Sequence, residues 1–539
     1  MYGLELIKRV FSLQPVERVP WIPFVGVHGG FLTGVDATSY LKSSGEIVRG
    51  VSKAIEEYNP DGIPVLFDLQ TEAEALGCRL QWSESTPPAV VSHPLSEGIS
   101  IDELTIPGPD AGRIPVAIDA AKKLRKRYPD IALYGLITGP FTLAMHLMGT
   151  DMFTKLYEEP GEVLKLMEFC KRAGQKMAEY YMDAGCDVIA LVDPMTSQID
   201  TDTFEKFVTP YASEIFHFIR ERGKLSSFFV CGHAQQNIEA MCNCRPDNVS
   251  IDENIPLDYV KEIALERGIS FGGNLKLTVV LLMGSKEDCQ EHALECLDQG
   301  GKTGFILAPG CDLPRETPPE NIKAVTGLVH DPYRQEVVRT LEKRESTLEV
   351  LNMKDYGQSE KVIIDIITLD SESCAPCQYM VEAVKRVSKH FEGVAEWREH
   401  AIKKIEAVSF MSSLMVKNIP TICIDGKIAF VSKIPPEAEL AAAIQKRINE
   451  KLKLKIRLKR GELIIFEDEG NRCTELQDRV NRAMTELGRE IDIRVITGRN
   501  NMAGYGISQS PAVVAVRYTV KSEGAIPSVE VIKEWIKEL

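Results

Sequence analysis

Ser227-Phe-Phe-Val-Cys-Gly-His233 and Gly304-Phe-Ile-Leu-Ala-Pro-Gly-Cys311 each carry a cysteine just past a short apolar run. In a barrel of parallel strands, residues just past the strands all open onto one rim, so Cys231 and Cys311 can meet only through the fold. With His233 two residues beyond the first cysteine, the pair reads as half of a zinc site. A closed structural zinc site takes four protein ligands, whereas three leave a position free for substrate. The long separation of the cysteines in the chain argues against a zinc finger.

Working outward, the same kind of run recurs eight times, alternating with amphipathic helical stretches such as Pro160 to Ala184 and Asp202 to Gly223. The predicted strands are 21–25, 62–67, 132–137, 187–192, 226–231, 247–251, 269–273 and 304–308. Eight strand–helix units predict a TIM (β/α)8 barrel, whose active site gathers at the C-terminal strand ends. In strand order those ends hold His28, Asp68, Gly139-Pro-Phe-Thr142, Asp193, Cys231 with His233, Asp252, Asn274 and Cys311. Cys242 and Cys244 imitate a metal-binding Cys-x-Cys, but they fall between a helix and the next strand, on the opposite face of such a barrel.

The chain has 539 residues, which implies two to four domains. A hydrophobic fraction of 44% and a charged fraction of 26% are those of a globular protein. The net charge of -15 disfavours nucleic acid and anionic membranes as partners. No apolar run approaches the roughly 18 residues that span a bilayer, and the first residues lack the apolar region of a signal peptide. Thirteen cysteines, an odd and scattered set, predict reduced thiols and a cytoplasmic location.

Phe67-Asp-Leu-Gln-Thr-Glu-Ala-Glu-Ala-Leu-Gly77, Gly139-Pro-Phe-Thr-Leu-Ala144 and Leu307-Ala-Pro-Gly-Cys-Asp-Leu-Pro-Arg-Glu-Thr-Pro-Pro-Glu-Asn-Ile322 resemble the uroporphyrinogen decarboxylase superfamily. That superfamily comprises porphyrinogen decarboxylases and zinc-dependent methyltransferases that exchange methyl groups between corrinoids and thiols. Asp68 matches the decarboxylase aspartate that binds pyrrole nitrogens. His146, however, stands where decarboxylases carry tyrosine and Cys311 where they carry histidine, while Val25-Gly-Val-His-Gly-Gly30 replaces an arginine-rich segment. The resemblance therefore implies the methyltransferase branch, with Zn2+ and a corrinoid, free or on a carrier protein, and a small thiol or methylated substrate as partners.

In that branch the zinc motif is His-x-Cys plus a later cysteine. Cys231 and Cys311 match the cysteines, and Phe229 occupies the histidine position. His233 lies on the same side of an extended strand and is the expected substitute, with Asp193, His146 and Asp252 as alternatives. The expected catalytic residues are Asp68, His146 and Asp193, and His28 and Asn274 are expected to contact the cofactor. A decarboxylase, or a barrel that serves only as a redox or binding scaffold, stays open as an alternative.

Beyond the barrel, Val362-Ile-Ile-Asp-Ile-Ile-Thr reads as a buried strand leading to Cys374-Ala-Pro-Cys377 at a helix N-terminus. With Asn418-Ile-Pro-Thr-Ile-Cys later, this resembles thioredoxin and glutaredoxin domains. The resemblance makes Cys374 the attacking thiolate, Cys377 the resolving thiol and Pro420 the cis-proline facing them. The pattern returns in degraded form: Glu462-Leu-Ile-Ile-Phe-Glu-Asp, Cys473-Thr-Glu-Leu476 and Ser510-Pro-Ala-Val-Val, with Leu476 in place of the second cysteine. The expected organisation is a barrel over 1–332, a linker over 333–359, a dithiol thioredoxin-like domain over 360–453 and a degenerate one over 454–539. A homodimer is one of the assemblies left open.

Overall fold

The computed structural model describes residues 3–340, 351, 353, 356, 361–371, 374–455, 462–467, 472–489, 491–515, 519–523 and 526–538. Most of the expected 333–359 linker therefore lies outside the described residues, apart from the helix Pro332–Thr340.

Seven parallel strands curl into one sheet: β1 (Gly62–Pro64), β2 (Ala132–Thr138), β3 (Val188–Val192), β4 (Leu225–Val230), β5 (Asn248–Ile251), β6 (Ser270–Leu275) and β7 (Phe305–Pro309). They pair in chain order. The eighth strand, predicted at 21–25, is reduced to a parallel bridge from Trp21 to Leu307. Pro20 and Pro23 explain this, because a proline cannot donate to a ladder. The segment still occupies the gap between the sheet's edges. Leu307 N donates to Pro20 O, Ile22 N to Leu307 O and Asp61 N to Trp21 O.

Side chains alternate across the sheet as the period of two requires. In β2, Ala132, Tyr134 and Leu136 pack inside the curl, while Leu133 and Ile137 pack outward beneath the helices. Val188, Ala190 and Val192 of β3 and Ile306 and Ala308 of β7 also face inward. Phe24, Phe67 and Phe229 meet inside, Phe229 lying 5.3 Å from Phe24 and 6.1 Å, edge-on, from Phe67. The helix Gly3–Phe11 closes the other end with Leu6, Ile7 and Val10. Cys242 and Cys244 are buried, and the Cys244 thiol donates to Ala240 O at 3.3 Å.

Two further sheets share one topology. In the first, β8 (Val362–Thr368) pairs parallel with β9 (Ala395–Ala401) and antiparallel with β10 (Thr421–Ile424), which pairs with β11 (Lys427–Val431). In the second, β12 (Glu462–Glu467), β13 (Asp492–Thr497), β14 (Ala512–Ala515) and β15 (Thr519–Glu523) repeat that pattern. Each has a cis proline before its antiparallel strand, Pro420 and Pro511. The fold is α/β throughout: a TIM-barrel-like sheet followed by two thioredoxin-like units.

The first thioredoxin-like unit sits on the barrel. Tyr379, on the helix Ala375–Ser388, is fully buried in the barrel's outer core, and its hydroxyl donates to Met145 O at 3.2 Å. Gln378 donates to Val90 O at 2.6 Å, Arg386 to Thr150 Oγ1 at 3.0 Å, and Ile434 N to Gln198 Oε1 at 3.1 Å.

Candidate active site

The C-terminal rim of the sheet and the docked thioredoxin-like unit line one shared chamber, a cavity of about 120 Å3 open at its mouth. The barrel side contributes Asp68, His146, Cys231, Asp252, Cys311 and Asp312. The other side is Cys374, Ala375, Pro376, Lys403 and Pro420.

The inward phase of β4 runs from Phe229 to Cys231, which brings the Cys231 sulfur to the rim above the aromatic cluster. Cys311 follows β7, and the two sulfurs stand 2.7 Å apart. Both are free thiols. The hydrogen bond between them, together with burial and the nearby Asp252 and Asp312 carboxylates, pushes the Cys231 thiol well above its usual range. Asp252 accepts from Gly232 N at 2.9 Å and from the Asn254 side chain at 2.6 Å. Asp312 fits only because residue 26 is glycine: a Cβ there would lie 2.7 Å from its Cγ.

His146 stands in the last turn of the helix Pro140–Met148 and is 1% exposed. Its Nδ1 is 3.5 Å from the Tyr379 hydroxyl, and its Nε2 has no hydrogen-bond partner. Burial, and then His93 nearby, press its pKa down to about 3, so the imidazole is neutral. Asp68 accepts from Gln70 N at 2.8 Å and is paired with Arg113, which also holds Glu74 at 2.6 Å.

Cys374 caps the helix Ala375–Ser388, its sulfur accepting from Cys377 N at 3.4 Å. Cys374 and Cys377 are joined in a disulfide. Cys377 is fully buried behind Cys374, which is half-exposed on the chamber wall. The Cys473 side chain lies outside the described residues, and Leu476, in the position of the second cysteine, is fully buried.

Four expected site residues stand elsewhere. His233 borders a separate cleft with Ser197 and Gln198. The expectation assumed an extended strand, but β4 ends at Val230 and Gly232 turns the chain at φ +87°, breaking the alternation. His28 is buried beneath the rim, Nδ1 at 2.9 Å from Arg315 O and Nε2 at 2.7 Å from the Tyr58 hydroxyl. Asp193 is wholly buried and accepts from Phe141 N, Thr142 N and the Thr142 hydroxyl, anchoring the start of the helix Pro140–Met148. Asn274 donates to Ile255 O at 2.7 Å inside the fold.

The expected zinc set is thus not assembled. Phe229 is packed among phenylalanines, His233 faces another cleft, and among the described residues no three His, Cys, Asp or Glu side chains gather closely enough to hold a metal ion. Lys403 and Asp312 border the chamber although the sequence reading did not single them out. Asp312 directly follows the rim cysteine. Lys403 had no such signal, since only docking of the two units brings it there.

The profile of the uroporphyrinogen decarboxylase (URO-D) family matches residues 3–332, and the chain belongs to that family. A thioredoxin domain profile matches residues 363–445 and 464–537. The chain is 26% identical over 335 residues to a methylcobamide:CoM methyltransferase of Methanosarcina acetivorans, covering 59% of this chain and 95% of that protein. It is 28% identical over 343 residues to a uroporphyrinogen decarboxylase of Anaeromyxobacter sp. (strain Fw109-5), with the same coverages. A solved methyltransferase from Methanosarcina mazei superposes with a TM-score of 0.57 at 23% identity, covering 62% of this chain and all of that one, a likeness of fold.

Proposed function

We propose that the barrel transfers a methyl group between a corrinoid, bound as substrate or carried by a partner protein, and a small thiol seated in the chamber. The observation that carries this reading is the pair of sulfurs, Cys231 and Cys311, converging at the rim where the decarboxylase pattern has a histidine. The methylcobamide:CoM methyltransferase relatives support the same branch.

In the transfer, the substrate thiol gives up its proton to water at the chamber's mouth and the sulfur attacks the methyl carbon. The cobalt–carbon bond breaks with its electron pair staying on cobalt. The chain's groups position that thiol. Cys231 and Cys311 share one S–H hydrogen bond, which leaves one S–H of the pair to donate to a third sulfur, and the neutral His146 Nε2 is free to pair with it. Lys403, its ammonium ion-paired with Asp370, stands on the other side of the chamber. No step in this reading runs through zinc: the turn at Gly232 takes His233 away, Phe229 stands at the expected histidine position, and among the described residues no third protein ligand gathers with the two cysteines.

Decarboxylation is disfavoured by Asp68, whose carboxylate is already occupied by Arg113 and Gln70 N rather than free for pyrrole nitrogens. The test is product analysis with carbon-13-labelled methylcobalamin and 2-mercaptoethanesulfonate under reducing, anoxic conditions. Labelled S-methyl thioether is expected, and uroporphyrinogen should stay unconverted. Accumulation of coproporphyrinogen with no thioether would reverse the assignment.

A further inference from the structure

Two cysteine pairs, one of them through Cys374 alone, meet at one chamber in opposite redox states. Cys231 and Cys311 are free thiols, while Cys374 and Cys377 form a disulfide. The barrel sulfurs are 2.7 Å apart. A tetrahedral zinc ion with Zn–S bonds of about 2.3 Å would hold its sulfurs about 3.8 Å apart, whereas a disulfide needs about 2.05 Å. Their spacing is nearer the disulfide, and among the described residues no third ligand gathers with them to make a metal site.

We propose that the chain has a second activity: the Cys374/Cys377 dithiol reduces a Cys231–Cys311 disulfide across the chamber. The inference stands whether or not the barrel moves a methyl group.

The oxidant is a peroxide. One barrel thiol attacks a peroxide oxygen, the O–O bond breaks and the thiol proton passes to the leaving oxygen, so that a sulfenic acid and water form. The second thiol then displaces water, giving the Cys231–Cys311 disulfide. Reduction starts from Cys374, the only one of its pair on the chamber wall and placed at a helix N-terminus that favours thiolate. Its sulfur attacks one barrel sulfur, the barrel S–S bond breaks, and the other barrel cysteine leaves as thiolate. Cys377, buried directly behind, attacks Cys374 and releases the second barrel thiolate. Two electrons have then passed from the dithiol to the barrel. The end state, with Cys374–Cys377 oxidised and Cys231 and Cys311 free, is the one the structure holds. An external dithiol protein of the thioredoxin class resets Cys374 and Cys377.

The experiment uses full-length protein, fully reduced and freed of reductant, then treated with one equivalent of hydrogen peroxide, acid-quenched, alkylated and mapped by mass spectrometry. In the Cys374→Ser/Cys377→Ser variant the Cys231–Cys311 disulfide should accumulate at least tenfold above its level in the unmodified chain. In Cys377→Ser alone, Cys374 should be trapped in a mixed disulfide with Cys231 or Cys311. Equal accumulation with and without the dithiol, failure of the barrel pair to oxidise in either protein, or absence of any Cys374–barrel linkage would each overturn the proposal. So would a stoichiometric zinc ion lost on Cys231→Ser/Cys311→Ser substitution.

Discussion

Phe229 decides what Cys231 and Cys311 can be. It shares the inward phase of Cys231, so an imidazole in its place would point at the two sulfurs. Phe229→His is therefore expected to raise bound zinc, measured by atomic absorption on dialysed protein, from well below one to about one per chain. No gain would show that the rim geometry, rather than the missing side chain, excludes the metal. His28 makes a different prediction. Burial lowers its pKa from 6.5 to about 4, so the folded state holds it neutral while an unfolded chain takes up a proton below pH 6.5. A depressed value means that stability is intact above 6.5 and declines as pH falls towards 4, by up to about 1.4 kcal/mol per pH unit. Urea midpoints at pH 7 and pH 5 should separate in the natural chain and draw closer in His28→Gln, and an unchanged separation would refute this origin.

At the scale of elements, Asp193 ties the end of β3 to the helix Pro140–Met148, which carries His146 into the chamber. Removing its carboxylate leaves Phe141 N, Thr142 N and the Thr142 hydroxyl without their acceptor. Asp193→Ala is expected to cost about 2–4 kcal/mol in denaturant unfolding. Gly139→Ala should act in the same direction, since its Cβ would collide with Asp193. This element also shows what the sequence makes legible. The apolar runs, the turn residues and the rim cysteines were readable, because strand period and loop chemistry are local. Asp193 was readable as a rim residue but not as an anchor, since its partners lie 51 and 52 residues away in sequence. His233 misled for a local reason: period-two alternation was carried past Gly232, whose positive φ ends it. The strand expected at 21–25 gave way to Pro23 within it and Pro20 just before it.

For the whole molecule, the decisive feature is the docking of the first thioredoxin-like unit over the barrel's rim. Nothing in the period or composition of Ala375–Ser388 distinguishes Tyr379 from an aromatic packed within its own unit, so the shared chamber could not be read before the fold. Tyr379→Ala removes a fully buried ring from the barrel's outer core and is expected to cost about 3–5 kcal/mol. Limited proteolysis should then cut between the barrel and the unit at least several-fold faster, and unchanged cleavage would mean the ring does not hold the two together.

The claim that the chamber is where a methyl group meets a thiol is tested most directly by methylcobalamin demethylation, followed by its visible absorbance with 2-mercaptoethanesulfonate present and oxygen excluded. The reduced natural chain is predicted to demethylate it, and Cys231→Ser/Cys311→Ser, folded by circular dichroism, to do so about 100-fold more slowly or less. A natural chain with no demethylation, or a double variant as fast as the natural chain, would contradict the account.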